Sequence, residues 1–193
     1  MHHISSIHAH GRLGVLHLPD FAKLMKLEAK RDIEKGGTLY LLKKLFDESV
    51  ELCYTDEGKP YLNNKSCHIS ITHSHDKLAI AVNENHAIGV DIELIRDKVL
   101  KIKHKFLSEI ELNNCKDDVQ KLITYWACKE AMYKYYSKKE VDFIEHLYVH
   151  PINEKDNGTT IGEIKIGNFS KKLNLHYEKT DEYMLVYTLD EIA

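Results

Sequence analysis

The sequence predicts an α+β fold, with strands and helices mixed in both halves of a 193-residue chain. Short alternating runs such as Cys67-His-Ile-Ser-Ile-Thr72 recur in both halves, the period of a strand with one buried face. Residues 119–137 carry apolar side chains at helical spacing. No Pro/Gly/Ser-rich linker divides the chain. A fainter feature is internal. Leu13-Gly-Val-Leu-His-Leu18 echoes Ile88-Gly-Val-Asp-Ile-Glu93, which hints at a duplicated unit starting near Asn85.

Taken in order, Leu13-Gly-Val-Leu-His-Leu18 reads as a strand ended by Pro19-Asp20. Residues 21–31 place Phe21, Leu24, Met25 and Leu27 at helical spacing. Gly36-Gly37 is expected to interrupt that helix. Thr38 is expected to cap a second one through Leu39, Leu42, Leu45 and Phe46. Asp56-Glu-Gly58 is turn chemistry, followed by Lys59-Pro60. Cys67-His-Ile-Ser-Ile-Thr72, Leu78-Ala-Ile-Ala-Val82 and Ile88-Gly-Val-Asp-Ile-Glu93 then read as three closely spaced strands of an antiparallel meander. A lysine-rich stretch covers 98–105, and 119–137 is the strongest helix. Alternating runs at 160–166 and 173–177 precede a final strand, Tyr183-Met-Leu-Val-Tyr-Thr188.

Composition narrows the function classes. The chain is 43% hydrophobic and 30% charged, with a formal net charge of −3. A general nucleic-acid binder would be basic, so that class is disfavoured. Cys53, Cys67, Cys115 and Cys128 form no CxxC pair and read as free thiols in a reducing compartment. Residues 1–14 lack the charged and apolar regions of a signal peptide. No apolar stretch reaches the roughly 20 residues that cross a bilayer. These features predict a soluble, cytoplasmic protein. His2, His3, His8 and His10 occupy a polar opening stretch and read as surface histidines rather than a metal site.

Four segments carry chemistry. In a strand over Ile88-Gly-Val-Asp-Ile-Glu93, Ile88, Val90 and Ile92 share one face and Gly89, Asp91 and Glu93 the other. Asp91 and Glu93 would then lie about 7 Å apart, pointing the same way, with open space beside Gly89. Two carboxylates so placed suit Mg²⁺, which binds through one or two carboxylates plus phosphates and water. Alone, the short and common GxDxE pattern reads as an exposed polar face of an edge strand. In the helix, a stripe of Val119, Leu122, Ile123, Trp126, Glu130 and Lys134 starts apolar and ends charged. It is either a solvated helix end or a stripe leaving the core for a charged cleft that Lys129 would flank. Thr72 and His73, in Ile69-Ser-Ile-Thr-His-Ser74, could hold phosphate oxygens or form a simple turn. Gly58-Lys-Pro-Tyr-Leu62 presents Lys59 on a rigid turn.

Together, in this order and spacing, the four segments resemble those of the 4′-phosphopantetheinyl transferases. Phe106-Leu-Ser-Glu-Ile-Glu111 fits the family's Phe-containing segment between the last two. The resemblance spans residues 58–134, and chain length matches the larger, surfactin-synthetase-activating type rather than the small trimeric synthase. It implies two similar α+β units fused in one chain, 1–84 and 85–193, with the active site in the cleft between them. It further implies transfer of the phosphopantetheine arm of coenzyme A to a carrier-protein serine. Asp91, Glu93 and Glu130 would hold Mg²⁺. Lys134 would offset charge on the departing adenosine bisphosphate. Lys59, Thr72, His73 and Lys129 would contact coenzyme A, with Lys30 and Arg31 as the best match for its 3′-phosphate. Trp126 would pack under the site and fix the helix. Glu130, Glu111 or a water on the metal are candidate bases, with His73 a less favoured one. Lys98, Lys101, Lys103 and Lys105 would face an acidic carrier or else form a solubilising loop. The family implies a monomer. The His-rich start matches no family feature, and the short region after Ser137 leaves carrier choice open. The rival readings are a Mg²⁺-dependent phosphohydrolase, a non-catalytic carrier-binding module of the same fold, and an α+β domain without a site.

Overall fold

Two large antiparallel sheets and a two-stranded one form among the described residues of this protein, whose computed structural model describes residues 1–8 and 10–192. The chain begins with β1 (His2–His8) and β2 (Gly11–His17), then helices α1 (Leu18–Met25) and α2 (Lys30–Phe46). A small hairpin of β3 (Leu52–Tyr54) and β4 (Pro60–Leu62) follows, and then β5 (His68–Ser74) and β6 (Lys77–Asn83). After β7 (Val90–Leu94) come two 3₁₀ turns, Asp97–Lys101 and Lys103–Lys105, and helices α3 (Glu109–Cys115) and α4 (Val119–Tyr136). β8 (Leu147–Val149), β9 (Asn157–Ile166), β10 (Phe169–Thr180) and β11 (Tyr183–Ile192) complete it.

The first sheet has strand order β1-β2-β6-β5 and the second β7-β11-β10-β9-β8, so the chain passes from one to the other between Asn83 and Val90. The expected meander of three strands is therefore corrected. β5 and β6 pair as a hairpin, but β7 pairs with β11, Val90 opposite Tyr187 and Leu94 opposite Tyr183. Asn83 Oδ1 accepts from the Asn85 and His86 amides, a side-chain turn that leads the backbone off the first sheet. Leu16, Leu78, Ile80 and Val82 face α1 and α2, and Met184 and Val186 pack in the core around α4. Leu13, Ala79 and Ala81 of the first sheet meet Val90, Ile92, Leu185 and Tyr187 of the second in a shared core.

Two glycine readings change. Gly36 and Gly37 do not break a helix: they lie inside α2, with Thr38 beyond them. A Cβ on Gly37 would come within 3.0 Å of Leu18 and 3.1 Å of Leu16, so its absence lets α2 settle close to the sheet. Thr38 caps nothing, since its hydroxyl donates back to the Glu34 carbonyl at 2.8 Å. The real break comes earlier, where Lys26 turns left-handed at φ 54 and ends α1. Likewise, no open space lies beside Gly89. A Cβ there would stand 1.9 Å from the Ala131 carbonyl oxygen, so β7 and α4 touch backbone to backbone. At Gly14 of β2 the neighbour is a side chain: a Cβ there would stand 2.9 Å from a Leu41 methyl of α2.

The opening polar stretch folds as the edge strand β1, with His2 and His3 exposed, while the side chain of His8 lies outside the described residues. Its histidines and serines lack the apolar alternation by which a strand is read. The four cysteines are free. No helix among the described residues is long and apolar enough to cross a membrane.

Candidate active site

β7 and α4 carry the acidic cluster. Asp118 caps α4 by accepting from the Gln120 and Lys121 amides, and Ser108 and Glu111 form a capping box on α3. With β7 pressed on α4 at Gly89, Asp91 and Glu93 come under Trp126, Glu130 and Lys134. Asp91 is buried, and its Oδ1 accepts from Lys134 Nζ at 2.6 Å and from Thr72 Oγ1 at 2.8 Å. Lys134 also donates to the Val90 carbonyl at 3.1 Å. Asp91 Oδ2 is buried with no hydrogen-bond partner. Glu93 accepts from the Trp126 indole N–H at Oε1 and the Ser74 hydroxyl at Oε2, both at 3.0 Å.

Burial, then the charges of Asp91 and Glu93, push the Glu130 carboxyl up to about 7 against the pull of Lys134. Burial and Asp91 raise Glu93 in the same direction. Such a cluster calls for a cation. Among the described residues no group of three or more His, Cys, Asp or Glu side chains is placed so as to hold a metal ion by itself. Mg²⁺ needs none, because it keeps waters and takes substrate phosphates alongside one or two carboxylates. The bare Asp91 oxygen and the repelling carboxylates fit a hard divalent ion.

Two grooves take in members of the cluster, Lys134 in one and Glu130 in the other, and a further groove shares lining with the first. One is lined by Lys59 and Ser70 on one side and by Lys134, Ser137, Lys138 and Lys139 on the other. It shares Gly58, Pro60 and Ile71 with a second groove that holds Arg31, Lys35 and His73. The third contains Glu130 with Ile102, Phe106, Trp126, Val141 and Phe143, the Trp126 ring lying 4.9 Å from Phe106 and 5.7 Å from Phe143. Tyr133 and Lys139 line both the first and the third.

The expected site residues thus scatter in part. Asp91, Glu93, Glu130 and Lys134 are brought together, with Thr72 bonded into the set. Lys59 and His73 reach the grooves, His73 with its ring 3.6 Å from Glu34. Arg31 faces the same groove as His73, but Lys30 lines a separate one with Leu18, Glu28 and His75 and pairs with Glu34 at 3.6 Å. Lys129 does not flank the cleft. It is fully buried, and its ammonium donates to the Phe106 and Phe143 carbonyls and to Glu111, each at 2.8 Å. Every proton is used, so none is left for a phosphate. Burial pulls its pKa below the usual lysine range, against the pull of Glu111. Glu111 is equally committed: buried, it also accepts from the Ser108 amide and hydroxyl and the Val149 amide, and cannot take up a substrate proton. Lys103 is largely buried and ion-paired with Asp117, which removes it from the basic surface of Lys98, Lys101 and Lys105. Ser74, Lys35, Lys138 and Lys139 were not singled out by sequence. Only the step of two from Thr72 to Ser74 along a strand signals one of them.

The chain itself belongs to a transferase family. Residues 87–188, just over half of the chain, match the 4′-phosphopantetheinyl transferase superfamily, and the chain belongs to it. It is also 34% identical over 96 residues to the 4′-phosphopantetheinyl transferase HetI of Nostoc sp.. That alignment covers 44% of this chain and 40% of the Nostoc protein, so the chain spans well under two thirds of the relative's length.

Proposed function

We propose that this protein transfers the 4′-phosphopantetheine moiety of coenzyme A to a serine of an acyl or peptidyl carrier protein, releasing adenosine 3′,5′-bisphosphate. The observation that carries the reading is the buried, unpartnered Asp91 Oδ2 beside Glu130, Glu93 and Lys134. Asp91, Glu93 and Glu130 would hold Mg²⁺ together with substrate phosphates and water, and the ion would supply charge neutralisation at the diphosphate. The serine oxygen bonds to the phosphorus bearing pantetheine, and the bond from that phosphorus to the oxygen bridging to the adenosine half breaks.

The chain's own groups do the rest. Lys59 and Lys134, on opposite walls of the first groove, bind the diphosphate, joined by Lys138 and Lys139. Arg31 and His73, in the continuous second groove, suit the 3′-phosphate. Glu130, which lines the groove beside Trp126 and Tyr133, is the carboxylate placed to take the serine proton. The open groove around Trp126 receives the carrier's serine, with exposed Lys98, Lys101 and Lys105 meeting an acidic carrier helix. Residues 1–84 and 85–193 act as two similar units of a monomer. Each sheet has a glycine, Gly14 or Gly89, against its long helix, in keeping with the sequence echo.

The test is to incubate the protein with coenzyme A, Mg²⁺ and apo carrier proteins and weigh the carrier intact. The expected result is a gain of one phosphopantetheine, lost with EDTA and in Asp91→Ala or Glu130→Ala variants that remain folded. No gain on fatty-acid, polyketide or peptidyl carriers overturns the reading in favour of a phosphohydrolase or a binding module.

A further inference from the structure

We propose that Thr72, Ser74 and Trp126 are positioning residues that hold the two β7 carboxylates for the metal, and that Thr72 is not a phosphate contact. The inference rests on the metal site proposed above. Along β5, Ser70, Thr72 and Ser74 alternate onto one face, and that face meets β7. The Val90 amide donates to the Ser70 hydroxyl at 3.1 Å. Thr72 donates to Asp91 at 2.8 Å and Ser74 to Glu93 at 3.0 Å. Three hydroxyls of β5 thus engage Val90, Asp91 and Glu93 of β7.

The effect on Asp91 is asymmetric. Thr72 and Lys134 both engage Oδ1, while Oδ2 stays buried and bare. A carboxylate held by one oxygen cannot rotate the other away, so Oδ2 is the oxygen presented to a cation. Glu93 is pinned at both oxygens, by Trp126 and Ser74, and each oxygen keeps a further lone pair for a ligand. A threonine hydroxyl has a single proton, and that of Thr72 is committed to Asp91. Thr72 and Ser74 also lie outside the family-matched residues 87–188, in the other sheet. The N-terminal sheet therefore supplies the hydrogen bonds that orient the C-terminal carboxylates. Such supporting bonds typically change metal affinity about 10–100-fold.

The experiment uses the full chain and Mn²⁺, whose free and bound forms are distinguished by electron paramagnetic resonance in the presence of coenzyme A. Coenzyme A affinity is measured separately by calorimetry in EDTA. Thr72→Val is expected to weaken Mn²⁺ about 10–100-fold while leaving metal-free coenzyme A binding unchanged, and Thr72→Ser to restore it. Ser74→Ala and Trp126→Phe act as independent variants should Thr72→Val fold poorly, each weakening Mn²⁺ and sparing metal-free coenzyme A binding. Unchanged Mn²⁺ affinity with reduced metal-free coenzyme A binding in Thr72→Val would overturn the inference and make Thr72 a phosphate contact. Wild-type Mn²⁺ affinity in all three variants would overturn it as well, with the metal site itself intact. A wild-type protein that binds no Mn²⁺ would instead sink the metal site on which the inference rests.

Discussion

Lys129→Met separates a structural role for the lysine of the Trp-x-x-Lys-Glu segment from a role in binding phosphate. Methionine keeps the length and apolar stem of the side chain but loses the ammonium. In the folded protein that ammonium bonds two carbonyls, of Phe106 and Phe143, and the Glu111 carboxylate. Its loss leaves two buried acceptors unpaired and strips the counter-charge from Glu111, which keeps only the Ser108 and Val149 donors. Removing one member of a buried pair typically costs about 3–5 kcal/mol, a large share of the roughly 5–15 kcal/mol that holds a domain folded. Urea unfolding followed by circular dichroism, at pH 7, reads this as a lower midpoint at constant slope. Adding Glu111→Gln should recover part of the loss, since no bare charge then stays buried. The reasoning fails if Lys129→Met unfolds within about 1 kcal/mol of wild type but loses metal-free coenzyme A affinity. The ammonium would then reach the ligand.

Three further outcomes follow from the same geometry. Between about 4.5 and about 7 the folded protein binds a proton at Glu130 that the unfolded chain has released, so metal-free stability falls as pH rises through that window. The fall is about 3 kcal/mol at most, and Glu130→Gln should flatten it in urea midpoints measured in EDTA. Gly89→Ala drives a methyl into the Ala131 carbonyl, which cannot step aside, and should cost at least the upper end of the about 1–3 kcal/mol typical of overpacking, seen as a lowered melting temperature. Gly36→Ala should raise it, by up to about 1 kcal/mol of helix stability, because its methyl would only touch the Phe21 ring at 3.4 Å.

Local chemistry alone determined a good part of this protein. Period-two alternation marked β5, β7, β9 and β10, an apolar run marked β6 and the apolar stripe marked α4, while the grouping of Asp91, Glu93, Glu130 and Lys134 came from the family resemblance of four ordered segments. Those signals depend on neighbours within a few residues, which the chain carries openly. Tertiary structure decided what depends on distant partners. Strand spacing cannot say that β7 leaves β6 for β11, because pairing is settled by a strand almost 100 residues away. Two adjacent glycines read as a break until α1 and β2 are seen to press on them. Lys129 and Glu130 are neighbours with opposite fates, since 100° of helical rotation sends one into the core and the other to the carboxylates. Which hydroxyl holds which carboxylate oxygen was settled only when the two sheets met along β5 and β7.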